Sequence, residues 1–185
     1  MHQLILHPKD PQAVFDADIL IELLRRQGLL AESFKFKDQT HYRPGEHFLE
    51  LITFLGCSPV VSLGEPGLTG DDFCHIALTP EYDSTQFIHG SNIKPPRCPT
   101  CRHTHQHWQG IIALWQQGRM NTCPQCGNHS QAHELKWRQC AGFLRQGMIV
   151  WGIFEGEAVP SEQLLELLEQ ITGQRWSYFY RHLGI

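Results

Sequence analysis

The sequence predicts a mixed α/β fold, a sheet with flanking helices, that carries an inserted cysteine-rich module. Three observations predict it. Alternating and helical apolar periods take turns at both ends of the chain. Two Cys-x-x-Cys pairs, Cys98/Cys101 and Cys123/Cys126, sit together in the middle. The charge changes sign at the borders of that middle segment. Across 185 residues the chain is 41% hydrophobic, enough for a packed core and too much for a disordered state. No apolar run approaches the ~20 residues of a membrane-spanning helix, so no membrane partner is expected. The opening MHQLILHPKD has too short an apolar stretch for a signal peptide. A cytoplasmic protein is expected.

The elements follow in order. Residues 2–7 alternate loosely and suit a short strand. Asp10-Pro11 reads as an N-cap with Pro at the first helical position. Val14, Phe15, Ile19, Leu20, Leu23 and Leu24 recur at helical spacing, with Gly28 as the C-terminal cap. Residues 31–37 alternate, Phe34 and Phe36 against Lys35 and Lys37, as a half-buried strand does. Arg43-Pro44-Gly45 predicts a turn. Phe48, Leu51, Ile52 and Leu55 predict a helix from Glu46 to Leu55, ended by Gly56. Strands are expected at 59–63, 73–79 and 85–89. Ser91-Asn92 and Pro95-Pro96 mark a boundary. Beyond the cysteine-bearing segment, Met148 to Phe154 reads as a strand. Ser161 caps a helix whose Leu164, Leu165, Leu168 and Ile171 share a face, ended by Gly173. Trp176, Tyr178 and Tyr180 alternate as a last strand. This closing β–α–β is too small to bury its own faces, so it should complete the sheet begun by residues 1–90. Residues 1–92 plus 146–185 then form the core domain, and 93–145 an insertion.

Residues 1–90 hold six Lys/Arg against thirteen Asp/Glu, a net of −7. Residues 91–148 hold seven against one, a net of +6, and residues 149–185 hold two against five, a net of −3. Such a basic segment serves phosphate or an acidic partner, or it docks on the acidic remainder of its own chain or of a second copy.

A two-residue gap lets both sulfurs of a tight turn face one ion. Pro99 and Pro124 preset the two turns, and Gly127 permits the left-handed conformation that closes one. Four thiolates in facing turns form a tetrahedral shell that selects Zn²⁺, with iron the main competitor. Disulfides would need an oxidising compartment, which nothing in the sequence supports. Cys98, Cys101, Cys123 and Cys126 are therefore the expected ligands of a structural zinc. With Gly127, these knuckles resemble the zinc-ribbon class. The resemblance covers about residues 94–145 and implies Zn²⁺ and a small β-hairpin module, with no single function attached. Trp108, Ile111, Ile112 and Trp115 repeat at helical spacing between the knuckles, so a short helix is expected to replace or extend the hairpin.

His103, His105 and His107 would share a face in an extended segment, as a second metal site or as a solvated stretch. A complete four-sulfur shell leaves no open position for catalysis. Trp108, Trp137 and their neighbours interleave with Arg102, Arg119, Lys136 and Arg138, as single-stranded nucleic acid binding requires; the alternative is ordinary packing with surface cations around it. Glu46, His47 and Glu50 read as a solvated helix face, Cys57 and Cys140 as small buried residues, and Cys74-His75 as strand neighbours that point to opposite sides rather than a nucleophile–base pair. Gly64, Gly67 and Gly70 match no phosphate-binding loop. The leading expectation is a non-enzymatic adaptor or regulator that presents a basic, aromatic surface. Its partner would be a protein or a second copy before RNA. The alternatives are an enzyme with a cleft between core and insertion, using His75, His89 or His103–His107, and a metal-handling protein that uses the His103–His107 stretch.

Overall fold

The structure, a computed structural model, describes residues 1–56 and 73–184. The strand expected at 59–63, Cys57 and the glycines at 64, 67 and 70 lie outside the described residues. The protein is a mixed α/β fold with a six-stranded antiparallel sheet, four helices among the described residues, and a four-cysteine cluster.

Strand β1 (His2–Pro8) organises the sheet because its alternation is apolar on both faces. Leu4 and Leu6 point to one side and Ile5 to the other, and all three are at most 1% exposed. Helix α1 (Ala17–Arg26) follows, then β2 (Leu30–Phe36) and β3 (Gln39–Pro44). Helix α2 (Phe48–Leu51) leads into β4 (Ile52–Phe54), and β5 (His75–Leu78) into β6 (Gln86–His89). Helix α3 (Trp108–Gln116) precedes the short hairpin β7 (Asn121–Thr122) and β8 (His129–Ser130). Strands β9 (Ala141–Leu144), β10 (Met148–Trp151) and β11 (Ala158–Pro160) come next. Helix α4 (Glu162–Thr172) and β12 (Trp176–His182) close the chain. The large sheet runs β12-β1-β10-β5-β3-β2. The closing strand thus pairs with the opening one, Gln3 opposite Arg181 and Leu6 opposite Tyr178.

One face of this sheet carries the main core. Leu4, Leu6, Met148, Val150, Trp176 and Tyr180 pack there with Leu20 and Leu24 of α1 and Leu164 and Leu168 of α4. Each such side chain contributes about 1.5–3 kcal/mol through burial. The partner layer demanded by Trp176, Tyr178 and Tyr180 is this pair of helices. On the opposite face, Ile5 and Phe179 pack against Leu144 of β9. Strand β9 pairs with β6, His89 opposite Ala141. Gly142 makes the approach feasible, because a Cβ there would overlap the Phe179 ring. The cysteine-bearing segment is thereby seated on the sheet.

Three local readings are corrected. Helix α1 starts at Ala17, not after Asp10: Asp16 Oδ1 accepts from the N–H groups of Asp18 and Ile19 at 3.0 Å. Asp10 instead accepts from Gln12 N–H in a turn. Arg43 and Pro44 end a strand, and only Gly45 lies beyond it. The helix read over 46–55 is confined to Phe48–Leu51, since Ile52–Phe54 pair with Ala158–Pro160.

Candidate metal centre

The two Cys-x-x-Cys segments fold into the same turn twice. Cys98 N–H donates to His103 O at 2.9 Å, and Arg102 N–H donates to Cys98 O at 3.1 Å. Cys123 N–H donates to Asn128 O at 2.8 Å, and Gly127 N–H donates to Cys123 O at 2.9 Å. The bonding pattern is identical, first cysteine to the fifth residue on and fourth residue back to the first cysteine. Both turns need a left-handed residue after the second cysteine. Gly127 supplies it at φ 72°, and Arg102 supplies it at φ 64° against its steric preference. Short pairings hold the turns in place: Arg97 bridges Thr104 and Lys136, and the second turn closes the β7–β8 hairpin. Helix α3 stands between the knuckles, as its apolar spacing predicts.

The four Sγ atoms lie within 4.8 Å of one another. Cys98 Sγ is 3.8 Å from Cys126 Sγ, and Cys101 Sγ is 3.7 Å from Cys123 Sγ. A disulfide needs about 2.05 Å. A tetrahedron of metal–sulfur bonds of about 2.3 Å has edges of about 3.8 Å. The cluster has the dimensions of a four-thiolate metal shell and can hold a metal ion.

The electrostatics of Cys98 and Cys101 suit a cation. The Cys101 N–H is directed at Cys98 Sγ and, assisted by the Thr100 N–H and against burial, holds that thiol at about 6. The His103 N–H acts the same way on Cys101, but burial and the sulfurs of Cys126, Cys123 and Cys98 push it up to about 12. One ionised sulfur resists the next. A cation among the sulfurs would relieve this mutual opposition between Cys98 and Cys101.

The remaining candidates are placed as follows. Arg102, Arg119 and Lys136 are exposed, and among the described residues none of them makes an ion pair. Arg138 donates to Pro95 O at 2.8 Å. Two other cations of the segment dock it in cis, Lys94 to Glu155 and Arg145 to Glu81. Trp137 is 5% exposed, and its indole N–H donates to Ala132 O. Its ring belongs to the module's own core with Ile111, Ile112, Leu135 and Phe143. Trp108 is half-buried against the same core. His105 is buried, His103 meets it at 5.4 Å and a right angle, and His107 is exposed ahead of α3. The four cysteines are the cluster in which three or more His, Cys, Asp or Glu ligand atoms converge among the described residues. His75 and His89 stand on different sheets. His75 is buried beside Trp151, while His89 is exposed at a groove between β6 and α3. Cys74 and Cys140 are buried, and Glu46, His47 and Glu50 are exposed.

The signal that local sequence reasoning missed is the backbone role of Arg102; the groove, lined by His89, lies between core and insertion, where the alternative reading expected a cleft. The groove does carry one pattern in sequence, Trp-Gln at 108–109 repeated at 115–116. No family model, no curated protein and no solved structure matches the chain. No helix among the described residues is long and apolar enough to cross a membrane.

Proposed function

We propose that this chain is a zinc-stabilised adaptor whose four-cysteine module presents a basic face to a protein partner. The observation that carries the reading is the sulfur tetrahedron in a segment whose Arg102, Arg119 and Lys136 are exposed and make no ion pair among the described residues. Sulfur edges of 3.7 and 3.8 Å suit Zn²⁺, which takes four thiolates without any preference beyond tetrahedral. A shell closed by four cysteines holds the module together and leaves no coordination position for substrate. Four free thiols of this kind belong in a reducing compartment, so we place the protein in the cytoplasm. Lys94 and Arg145 are consumed in seating the module on acidic residues of its own chain. Arg102, Arg119 and Lys136 are left for a partner. A protein partner is favoured over RNA because Trp137, the aromatic residue flanked by Lys136 and Arg138, is turned inward.

The test has two parts. Freshly purified, reduced protein should contain one zinc per chain, and Cys98→Ser should lose it. Absence of bound metal would sink the reading. The zinc-loaded protein should also capture an acidic protein partner that a triple Arg102→Glu, Arg119→Glu, Lys136→Glu variant does not. RNA capture at physiological salt, with a log–log salt slope of about −0.7 per phosphate contact, would replace the protein partner by a nucleic acid.

A further inference from the structure

Between β6 and α3 lies a groove of about 850 Å³, lined by five glutamines and the rings of Phe87, Trp108, Trp115 and His89 but by no Asp, Glu, Lys or Arg. Trp108 and Trp115 are seven residues apart, two turns along one face of α3 and about 10.5 Å apart along its axis. Ile112 lies between them, and Phe87 of β6 also lines the groove. Each Trp is followed by an exposed glutamine, Gln109 and Gln116, whose amides have no hydrogen-bond partner among the described residues. The groove thus presents two indoles about 10.5 Å apart along α3, each followed by an amide donor.

We propose that this groove binds an uncharged proline-rich segment of a partner protein in the polyproline II conformation. The inference rests on the adaptor reading and names the chemistry of a second contact, made by the module together with β6 of the core. A polyproline II strand rises 3.1 Å per residue with three residues per turn, so side chains at i and i+3 fall on one side about 9.3 Å apart. That interval meets the two indoles. Such a strand makes no internal hydrogen bonds, so its carbonyls are free to accept from Gln109 and Gln116. An α-helix has the right repeat but satisfies its own carbonyls and needs a predominantly apolar groove. A nucleic acid would bring phosphates to a lining without a single Lys or Arg.

The probe is fluorescein-labelled decaproline, titrated against the full-length, zinc-loaded protein by fluorescence anisotropy. A Gly-Ser peptide of equal length and an oligouridylate serve as controls. Decaproline should bind saturably, with little change from low to high salt, and the Gly-Ser peptide should not. Gln109→Ala/Gln116→Ala changes only the exposed side of α3 and should weaken decaproline binding about tenfold with an unchanged circular dichroism spectrum. Trp115→Ala should weaken it further, but it also touches the core, so the glutamine variant decides. Decaproline binding no better than Gly-Ser, or undiminished in the glutamine variant, overturns the proposal. Oligouridylate binding abolished by the same glutamine changes overturns it in favour of a nucleic-acid groove. If decaproline fails while the Glu triple variant still loses its captured partner, this inference falls and the adaptor reading stands. If decaproline and charge-dependent capture both fail, the adaptor reading falls with it.

Discussion

His7 is half-buried where the module meets the sheet. Its ring stands edge-on to Phe179 at 5.5 Å, and its Nδ1–H donates to Pro8 O at 2.7 Å. Burial, only partly offset by that bond, pulls its pKa from 6.5 to about 4. The unfolded chain therefore binds a proton that the folded chain refuses between those values. Its stabilisation is present above about pH 6.5 and is lost as pH falls through about 4. The melting temperature should drop across that window, and His7→Gln should make the drop smaller. Identical drops in the two proteins, measured side by side, would show that His7 carries none of it. Nothing near His7 in the sequence announces this burial, because Gly142 and Phe179 create it from distant parts of the chain. The metal ligands are the opposite case. Cys98, Cys101, Cys123 and Cys126 are legible because a two-residue gap fixes local turn geometry by itself. Trp137 shows the limit of composition. An indole between Lys136 and Arg138 has the spacing of a base-stacking platform, yet its N–H bond to Ala132 O places it in a core.

At the level of elements, legibility follows how local the determinants are. Helix α4 is read in full from its ends: Ser161 Oγ accepts from Leu164 N–H at 3.1 Å, and Gly173 closes it at φ 68°. Ser161→Ala should cost about 1 kcal/mol, measured by urea denaturation, with an unchanged denaturant dependence. An unaltered midpoint would mean that Leu164 N–H finds another acceptor. Strand β3 lacks a sequence signal because adjacent residues His41 and Tyr42 are both buried, on opposite faces. A strand covered on both sides has no apolar–polar alternation to read. The stretch 46–55 has helical spacing over too few residues to outweigh pairing. Ile52, Thr53 and Phe54 are β-branched or aromatic, and β11 offers them a ladder. In the same way Asp10 before Pro11 suits a helix start, but the helix begins where Leu20 and Leu24 pack on the sheet, and Asp16 caps it.

Across the whole molecule, the sheet and the module differ in what holds them. The sheet half buries a large two-helix core, whereas the module's own core is Ile111, Ile112, Ala132, Leu135, Trp137, Ala141 and Phe143, with Phe87, Ile93, Trp108 and Trp115 packed against it. A core of that size is marginal for a segment of about fifty residues. Metal binding at such sites supplies on the order of 10–16 kcal/mol in isolated zinc-finger peptides, so the ion should be the module's main support. Chelation under reducing conditions should therefore loosen the knuckles and α3 while β12, β1, β10 and β5 stay paired. Trp108, Trp115 and Trp137, three of the five tryptophans, lie in the module, so the near-ultraviolet dichroism should fall sharply while the far-ultraviolet strand signal persists. Amide exchange should quicken at residues 97–130 and hold at Leu4, Ile5 and Leu6. The seam is the interesting region, because Ile5 and Phe179 are covered by Leu144 of β9. Since β9 is paired to β6 rather than to the knuckles, that cover should survive chelation. Loss of protection at Ile5 together with the knuckles would show that metal, module and sheet unfold as one cooperative unit. Protection unchanged everywhere would show that the module's apolar core suffices without the ion.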